Sequence, residues 1–186
     1  IPLLDGRTIS IEELSKEWEA GKRDQETYSI DTAAGGTIVP GRVIWCGKTG
    51  TTEKFAKITL DDGGIIEVTP DHKMMLRDGN PIKASDVIPG MSLMPMHVSY
   101  STMLNESCDK PTANCYEKIF NPSTGCKYFT HRLVAAKKYN LKLCGNGLIA
   151  QSGHTIHHAN FKKLDNSTSN LLLMDRAIFS NSFGSS

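Results

Sequence analysis

Residues 153–174 read GHTIHHANFKKLDNSTSNLLLM, and this stretch decides the fold of the C-terminal half of the chain. A β-branched run ends in two adjacent histidines, His157 and His158, and a polar segment then leads to Asn170 and a second apolar run. The two runs predict two strands joined by a polar loop. Because neighbouring strand residues point to opposite faces, the two histidines are predicted to face different ways and to have different roles.

The chemistry of imidazole suggests what those two roles are. One histidine suits a metal ligand, because imidazole nitrogen commonly binds divalent ions. The other suits a general base, since an unperturbed histidine titrates near neutral pH. Lys162 and Lys163 in the loop are predicted to attract phosphate. A pair of surface histidines beside a structural hairpin gives the same local pattern, so the rest of the sequence has to decide.

The order His-His-x-Asn, then Asp-Asn, then Asn-Leu resembles the HNH homing endonucleases of phage introns and inteins. Upstream, residues 131–135 read HRLVA, which is similar to the segment that often precedes the motif in that family. The resemblance covers about residues 127–181. It implies a small ββα-metal domain over residues 127–186, whose partner is double-stranded DNA.

The resemblance also implies a role for each site residue. His158 would deprotonate the attacking water, His157 would bind one Mg²⁺ or Mn²⁺ ion, and Asn170 would tie the loop to the second strand. A helix would follow, with Asp175 as its N-cap. The cations expected to lie along the DNA are Arg132, Lys137, Lys138, Lys162 and Lys163.

The last metal ligand departs from the family pattern. The family supplies an Asn or His about two turns beyond the residue that matches Asn170, and this chain has Phe179 or Ser180 there. Asn181 is the nearest suitable side chain, one or two positions late. On a helix that shift turns the side chain by about 100 to 200 degrees. Asn181 is therefore the expected ligand only if the helix start is displaced; otherwise the domain would bind DNA without cutting it.

In the first 96 residues, short β-branched strands with Gly and Asp turns, among them Asp62-Gly63, predict an antiparallel sheet that ends in Thr69-Pro70-Asp71-His72. With Leu4-Asp5-Gly6 before the sheet and Lys83-Ala84-Ser85 and Pro89-Gly90 after it, this series resembles the N-terminal part of an intein, whose fold is shared with hedgehog autoprocessing domains. The resemblance implies that Thr69 and His72 polarise the N-terminal scissile peptide. The chain begins at Ile1, without the Cys or Ser nucleophile, and ends without a His-Asn pair. A trimmed chain, a split intein with a complementary C-terminal fragment, and a degenerate module all remain open.

Composition sets further expectations. Residues 1–96 carry a net charge of −4 and residues 97–186 one of +5, which fits a polyanion partner for the second half. Five cysteines without a Cys-x-x-Cys pair favour reduced thiols in a cytoplasmic protein of a bacterial or phage-infected cell, and no structural zinc is expected. No apolar run is long enough to span a membrane. Ser10 is predicted to cap one helix. A second helix is predicted over residues 130–140, with His131, Arg132, Lys137 and Lys138 on its solvated basic side.

Together these patterns predict a β-rich α+β protein: an intein-like antiparallel β module over residues 1–96, a linker and lead-in strand over 97–126, and an HNH domain over 127–186. The favoured function is an intein-associated homing endonuclease that hydrolyses DNA phosphodiester bonds. The alternatives are a split or truncated intein fragment that acts in splicing, and a DNA-binding remnant without chemistry.

Overall fold

The computed structural model describes residues 1–31, 37–94, 97–104, 106–121, 124–144 and 153–175. Within these ranges the α-helices are α1 (Ile11–Glu19) and α2 (Thr130–Tyr139), and Ala84–Asp86 forms a short 3₁₀ helix. The strands are β1 (Glu26–Asp31), β2 (Thr37–Arg42), β3 (Ala56–Thr59), β4 (Ile65–Val68), β5 (Lys73–Met75), β6 (Pro81–Lys83), β7 (Val98–Ser101), β8 (Ser107–Cys108), β9 (Tyr116–Asn121), β10 (Cys126–Phe129), β11 (His154–His158) and β12 (Leu171–Asp175). The chain is thus β-rich with few helices, as predicted. No helix in the described ranges is long and apolar enough to cross a membrane.

Contacts divide the chain into two compact units. One unit joins Ile1–Gly47 to Met96–Ser186, and the other is Lys48–Pro95. These boundaries differ from the predicted division at residue 96, because the first 47 residues pack with the C-terminal half.

A shared hydrophobic core explains why the N-terminal residues belong to the larger unit. Leu4 is fully buried against Val134, Ala135 and Leu171, which come from α2 and β12. The sequence identifies Leu4 as an apolar residue but does not indicate which residues pack against it. The N-terminal segment is therefore part of the scaffold under the histidine hairpin.

The smaller unit contains two antiparallel hairpins, β3 with β4 and β5 with β6. The turn at Asp62-Gly63 joins β3 to β4, as predicted, and Gly63 has a φ of 83°. Leu60 closes the turn by donating its N–H to Gly64 O at 2.8 Å. The local turn signal was therefore sufficient to locate this hairpin.

The helix predicted after Ser10 is also confirmed. The Ser10 hydroxyl accepts the Glu13 N–H at 3.0 Å, and the Glu13 carboxylate accepts the Ser10 N–H at 2.9 Å. This reciprocal capping box satisfies two backbone donors that α1 would otherwise leave unpaired. Leu14, on the buried face of α1, packs with Leu3 and Cys46.

A four-stranded antiparallel sheet fills the region expected to be a linker. Its strand order is β10-β9-β7-β8, and β9 has alternating half-buried and buried side chains. The buried face of β9 includes Ile119, which packs with Ile38, Tyr128 and Leu133. Segment 97–126 was predicted as a linker and lead-in strand, because its Ser, Thr and Asn residues obscure the alternation of buried and half-buried side chains along β9.

Helix α2 lies where the sequence predicts it, over Thr130–Tyr139. It ends at Asn140, which has a φ of 51° in the left-handed region where Asn is tolerated. One side of α2 places Val134 and Ala135 against Leu4 and Leu171. The helix thereby connects the sheet to the histidine hairpin.

The expectation of reduced thiols is wrong for two of the five cysteines. Cys108 and Cys115 form a disulfide, whereas Cys46, Cys126 and Cys144 are free. Cys108 lies in β8 and Cys115 comes just before β9, and both strands pair with β7, an arrangement that the irregular spacing of the cysteines did not indicate. The bridge lies immediately before Tyr116.

Candidate histidine site

Strands β11 and β12 form the predicted antiparallel hairpin. His158 pairs with Leu171, and His157 pairs with Leu172. Residues paired across strands share a face, so His158 lies on the same side as the fully buried Leu171, while His157 lies beside the exposed Leu172. The prediction that the two histidines face different ways is confirmed.

His158 is buried, with 6% of its surface exposed. Its Nε2 lies 3.4 Å from Asn166 Oδ1, while Asn166 Nδ2 donates to Leu164 O at 3.3 Å. The amide of Asn166 is thus oriented with its oxygen toward the imidazole. Burial lowers the pKa of His158 below its ordinary value, although Asn166 and Asp165 act in the opposite direction. The ring is consequently neutral at pH 7 and able to accept a proton.

Two further rings pack on His158, and the sequence reasoning did not assign them to the site. The centre of the His131 ring lies 5.3 Å from the centre of the His158 ring, and the centre of the Tyr116 ring lies 6.0 Å from it. The ring centres of Tyr116 and His131 are 5.1 Å apart. These residues come from β9 and the first turn of α2, so only the tertiary fold brings them to the hairpin.

His131 is the most unusual member of this ring cluster. It is 3% exposed, and its Nδ1 is a buried atom without a hydrogen-bond partner in the described structure. Burial holds its pKa well below the ordinary value, with nearby His158 and Arg132 acting in the same direction. His131 was expected on the solvated basic side of α2, but it is instead a neutral ring inside the site.

The loop after His158 is closed by Asn170. The Asn170 Oδ1 accepts the Asn160 N–H at 3.0 Å, and its Nδ2 donates to Asp165 O at 2.7 Å. Asp165 in turn accepts hydrogen bonds from Asn160 Nδ2 at 2.6 Å and from the Ser167 hydroxyl at 2.6 Å. Asn170 therefore ties the loop to β12, which is the structural position that the resemblance implies. Its role in catalysis stays a prediction.

The N-terminal residues brace the same loop from the other side. Asn166 donates its N–H to Leu4 O at 2.6 Å. The Glu26 carboxylate accepts both the N–H of Thr168, at 2.7 Å, and its hydroxyl, at 2.5 Å. A Cβ added to Gly6 would lie 2.8 Å from Leu164 O, so only glycine allows this close approach. The loop is thus fixed by contacts from more than 140 positions away in sequence.

The cations predicted to bind DNA lie in different settings. Lys138 donates to Thr168 O at 2.7 Å and to Leu171 O at 2.9 Å, so its ammonium holds the turn before β12. Lys137 and Lys162 are exposed, Lys163 lies over the Tyr116 ring, and Arg132 lies over the Phe129 ring. The structure therefore gives Lys138 a scaffold role that its position on a basic helix face did not indicate.

Of the two predicted metal ligands, only His157 lies within the described residues. The half-buried His157 packs its ring at 5.2 Å against Phe161. Within the described ranges no group of three or more His, Cys, Asp or Glu side chains converges. Asn181, the other predicted ligand, and the helix expected after Asp175 lie outside the described residues. His157 is thus the one predicted ligand whose position is defined, and it faces away from the ring cluster around His158.

Thr69 and His72, the residues that match the splicing-type motif, lie in the smaller unit. The His72 N–H donates to Thr69 O at 3.0 Å in a turn between β4 and β5. Thr69 is half-buried and His72 is exposed. The pair is therefore brought together locally, and its chemical role stays a prediction.

A buried carboxylate follows Tyr116 in β9 and lies on the opposite face of that strand. Glu117 is 6% exposed, and its Oε1 accepts hydrogen bonds from the Tyr28 hydroxyl and, at 2.8 Å, from the Thr130 hydroxyl. Burial raises the pKa of Glu117 above its ordinary value, and the two hydrogen bonds only partly offset this. The folded chain therefore binds this proton more tightly than the unfolded chain does.

We expect the larger unit to lose stability as the pH rises from the ordinary glutamate pKa through the raised pKa of Glu117, because unfolding then releases a carboxylate that burial disfavours. The variant Glu117→Gln keeps an acceptor oxygen and should flatten this pH dependence. Urea titrations followed by the fluorescence of Trp18 and Trp45, which both lie in the larger unit, would measure it. The exposed Glu106→Gln is the matched control, and an equal flattening by that variant would contradict the assignment.

The fold and the site thus define a β-rich α+β chain whose larger unit carries a paired-histidine hairpin. The B subunit of DNA gyrase from Synechocystis sp. is 36% identical to this chain over 173 residues, which cover 92% of the chain. The chain spans about 15% of the length of that gyrase protein. No protein-family model matches the chain, and no solved structure matches it.

Proposed function

We propose that the chain is a metal-dependent DNA endonuclease of the HNH type, joined to an intein-like module. The observation that carries this proposal is the arrangement around His158: a buried imidazole whose Nε2 faces Asn166, at the end of a strand that Asn170 ties back to its partner. General-base catalysis needs an oriented, neutral imidazole, and this arrangement supplies one.

In the proposed reaction a water oxygen attacks a DNA phosphorus, and His158 takes the proton of that water. Asn166 Oδ1 accepts the Nε2–H, which leaves the lone pair on Nδ1 as the basic site. The bond from phosphorus to the 3′ oxygen breaks, and this oxygen leaves with the electron pair and is protonated by solvent. Asn170 and Asn166 act by holding the loop and the ring, so their contribution is positional.

The proposed cofactor is one Mg²⁺ or Mn²⁺ ion. His157 would contribute a nitrogen, and Asn181 is the further candidate in the chain. When bound, such an ion supplies positive charge that offsets the charge building up on the phosphate and the leaving oxygen. Of these two candidate ligands, His157 lies within the described residues.

The similarity to part of a gyrase protein supports the intein-like half of the proposal. The match covers nearly all of this chain but about 15% of a far longer protein, as expected for a segment carried within a host protein. We propose a cytoplasmic protein that acts on duplex DNA. Thr69 and His72 would be the splicing-type residues, and a complementary C-terminal intein fragment would be the partner for any splicing.

Strand scission in the presence of a divalent ion is the test. The purified chain is expected to convert supercoiled DNA that carries an uninterrupted host locus to nicked or linear DNA in Mg²⁺ or Mn²⁺. It should leave the DNA intact in EDTA, because hydrolysis of a phosphodiester needs the ion's charge. Gel electrophoresis measures both products. Intact DNA under all of these conditions would reject the endonuclease.

A second candidate is a splicing-type fragment whose HNH domain binds DNA without cutting it. The observation that favours it is the burial of His158, because Tyr116 and His131 cover a ring that has to reach a water molecule. The position of Phe179 or Ser180 at the expected ligand site points the same way. This candidate predicts salt-sensitive duplex binding and no scission with either ion.

A further inference from the structure

The sheet next to the histidine site has one face that alternates aromatic and basic side chains. On β9, Tyr116, Lys118 and Phe120 are half-buried, whereas the residues between them point into the core. On β10, Phe129 pairs with Lys118 and Lys127 pairs with Phe120, so these side chains share that face. We name these five residues the β9–β10 outer face.

The positive charges on and beside this face lie close together. Lys118 Nζ is 4.7 Å from the centre of the Phe129 ring, and the guanidinium of Arg132 is 4.8 Å from the same ring. Lys127 is exposed on the neighbouring strand. The pKa of Lys118 lies below its ordinary value because of burial and because Lys127 and Arg132 are near. A set of cations that repel one another is stabilised when a polyanion binds.

The charged face continues into the histidine site. Tyr116 is at the end of this face, and the centre of its ring lies 5.9 Å from that of Phe129 and 6.0 Å from that of His158. Lys163, from the loop after His158, lies 5.3 Å from the centre of the Tyr116 ring. A DNA strand bound along the outer face would therefore lie beside His158.

We propose that the β9–β10 outer face, through Lys118 and Lys127 together with Arg132, binds the phosphate backbone of duplex DNA and leads it to the histidine site. The inference rests on the proposed function and deepens it, because it assigns the substrate path to a sheet face. Neither Lys118 nor Lys127 stands out in the sequence, where each is a single basic residue in a polar region.

The packing of the rings favours phosphate contacts over stacking with unpaired bases. Phe129 is 7% exposed, and Lys118 and Arg132 lie over its ring. Binding of single strands needs open aromatic surfaces, whereas a duplex offers its phosphates to lysine and arginine. The face presents cations in front of its rings, which suits a duplex.

Lys138, near the end of α2, already has partners within the fold. Its ammonium donates to the carbonyl groups of Thr168 and Leu171. Lys142 is exposed on the same unit and is not part of the proposed site, so it provides a matched control of equal charge.

Duplex binding measured against salt concentration tests the inference. Titrations use a short fluorescent duplex in EDTA, so that binding is observed without cutting. Lys127→Gln and Lys118→Gln are each expected to lower the slope of log K against log salt by about 1, because each removes one phosphate contact. Lys142→Gln should keep the wild-type slope. Thermal melts of the variants confirm that each chain is folded.

Three results would overturn the inference: wild-type slopes for both outer-face variants, a loss in Lys142→Gln as large as theirs, or tighter binding of single-stranded than of duplex DNA. A separate scission assay in Mg²⁺ keeps the two proposals apart. Reduced slopes without scission support the outer face and reject the endonuclease. Scission with unchanged slopes supports the endonuclease and rejects the outer face as the DNA-binding surface.

Discussion

Replacing His158 by alanine is expected to lower the rate of DNA scission by about 10²–10⁴-fold, which is the usual contribution of a general base. The reason is that the imidazole next to Asn166 takes the proton of the attacking water in the proposed reaction. Duplex affinity should stay close to that of the wild type, since the phosphate contacts are assigned to the β9–β10 outer face. Single-turnover scission and duplex titration measure the two quantities.

Because His158 is buried, the alanine variant also leaves a gap beside Tyr116 and His131. His158→Gln fills more of that space and retains an amide that can hydrogen-bond to Asn166, but it has no basic nitrogen. It should therefore fold and fail to cut. His154→Ala, at the exposed start of the same strand, is the control expected to cut normally. Normal scission by a folded His158→Gln variant would remove His158 as the base.

Leu4→Ala is expected to destabilise the larger unit by about 2–5 kcal/mol, the range for truncating a fully buried leucine. Leu4 is 0% exposed and packs on Val134, Ala135 and Leu171. Its carbonyl also accepts the N–H of Asn166, so a shift of this segment would disturb the loop that carries the site. Urea unfolding measures the loss, and Leu104→Ala, at a side chain 82% exposed, should cost almost nothing.

The same contact predicts the behaviour of a fragment. A chain that starts at residue 97 lacks Leu4 and Glu26 and should not form the ordered histidine hairpin, although it contains every residue that matches the HNH pattern. Far-ultraviolet circular dichroism and amide proton dispersion would report this directly. A well-dispersed, cooperatively unfolding fragment would show that the N-terminal segment is dispensable for the fold.

Features with local causes could be predicted from the sequence. Ser10 and Glu13 form their capping box three residues apart, Asp62-Gly63 turns a hairpin, and the apolar runs around His158 and Leu171 pair as expected. In each case the deciding groups lie near one another in the chain, so propensity and spacing contain enough information.

Features that depend on distant partners could not be predicted. His131 was expected among solvated cations, because nothing near it in sequence indicates that Tyr116 and His158 cover it. The hydrogen bonds of Lys138 could not be predicted either, because their acceptors, Thr168 O and Leu171 O, lie 30 and 33 positions later in the chain. The side chain remains exposed, and its contact with DNA stays a prediction.

The clamp between Glu26 and Thr168 has a consequence for the way the protein is made. The two residues are 142 positions apart, so at ribosomal speed on the order of ten seconds separates their synthesis. Until Thr168 and Leu171 have been synthesised, Leu4 and the Glu26 carboxylate remain on the nascent chain without these contacts. Closure over so long a stretch slows folding. The histidine hairpin is therefore among the last parts of the larger unit to become ordered, because it can form only after β12 has left the ribosome.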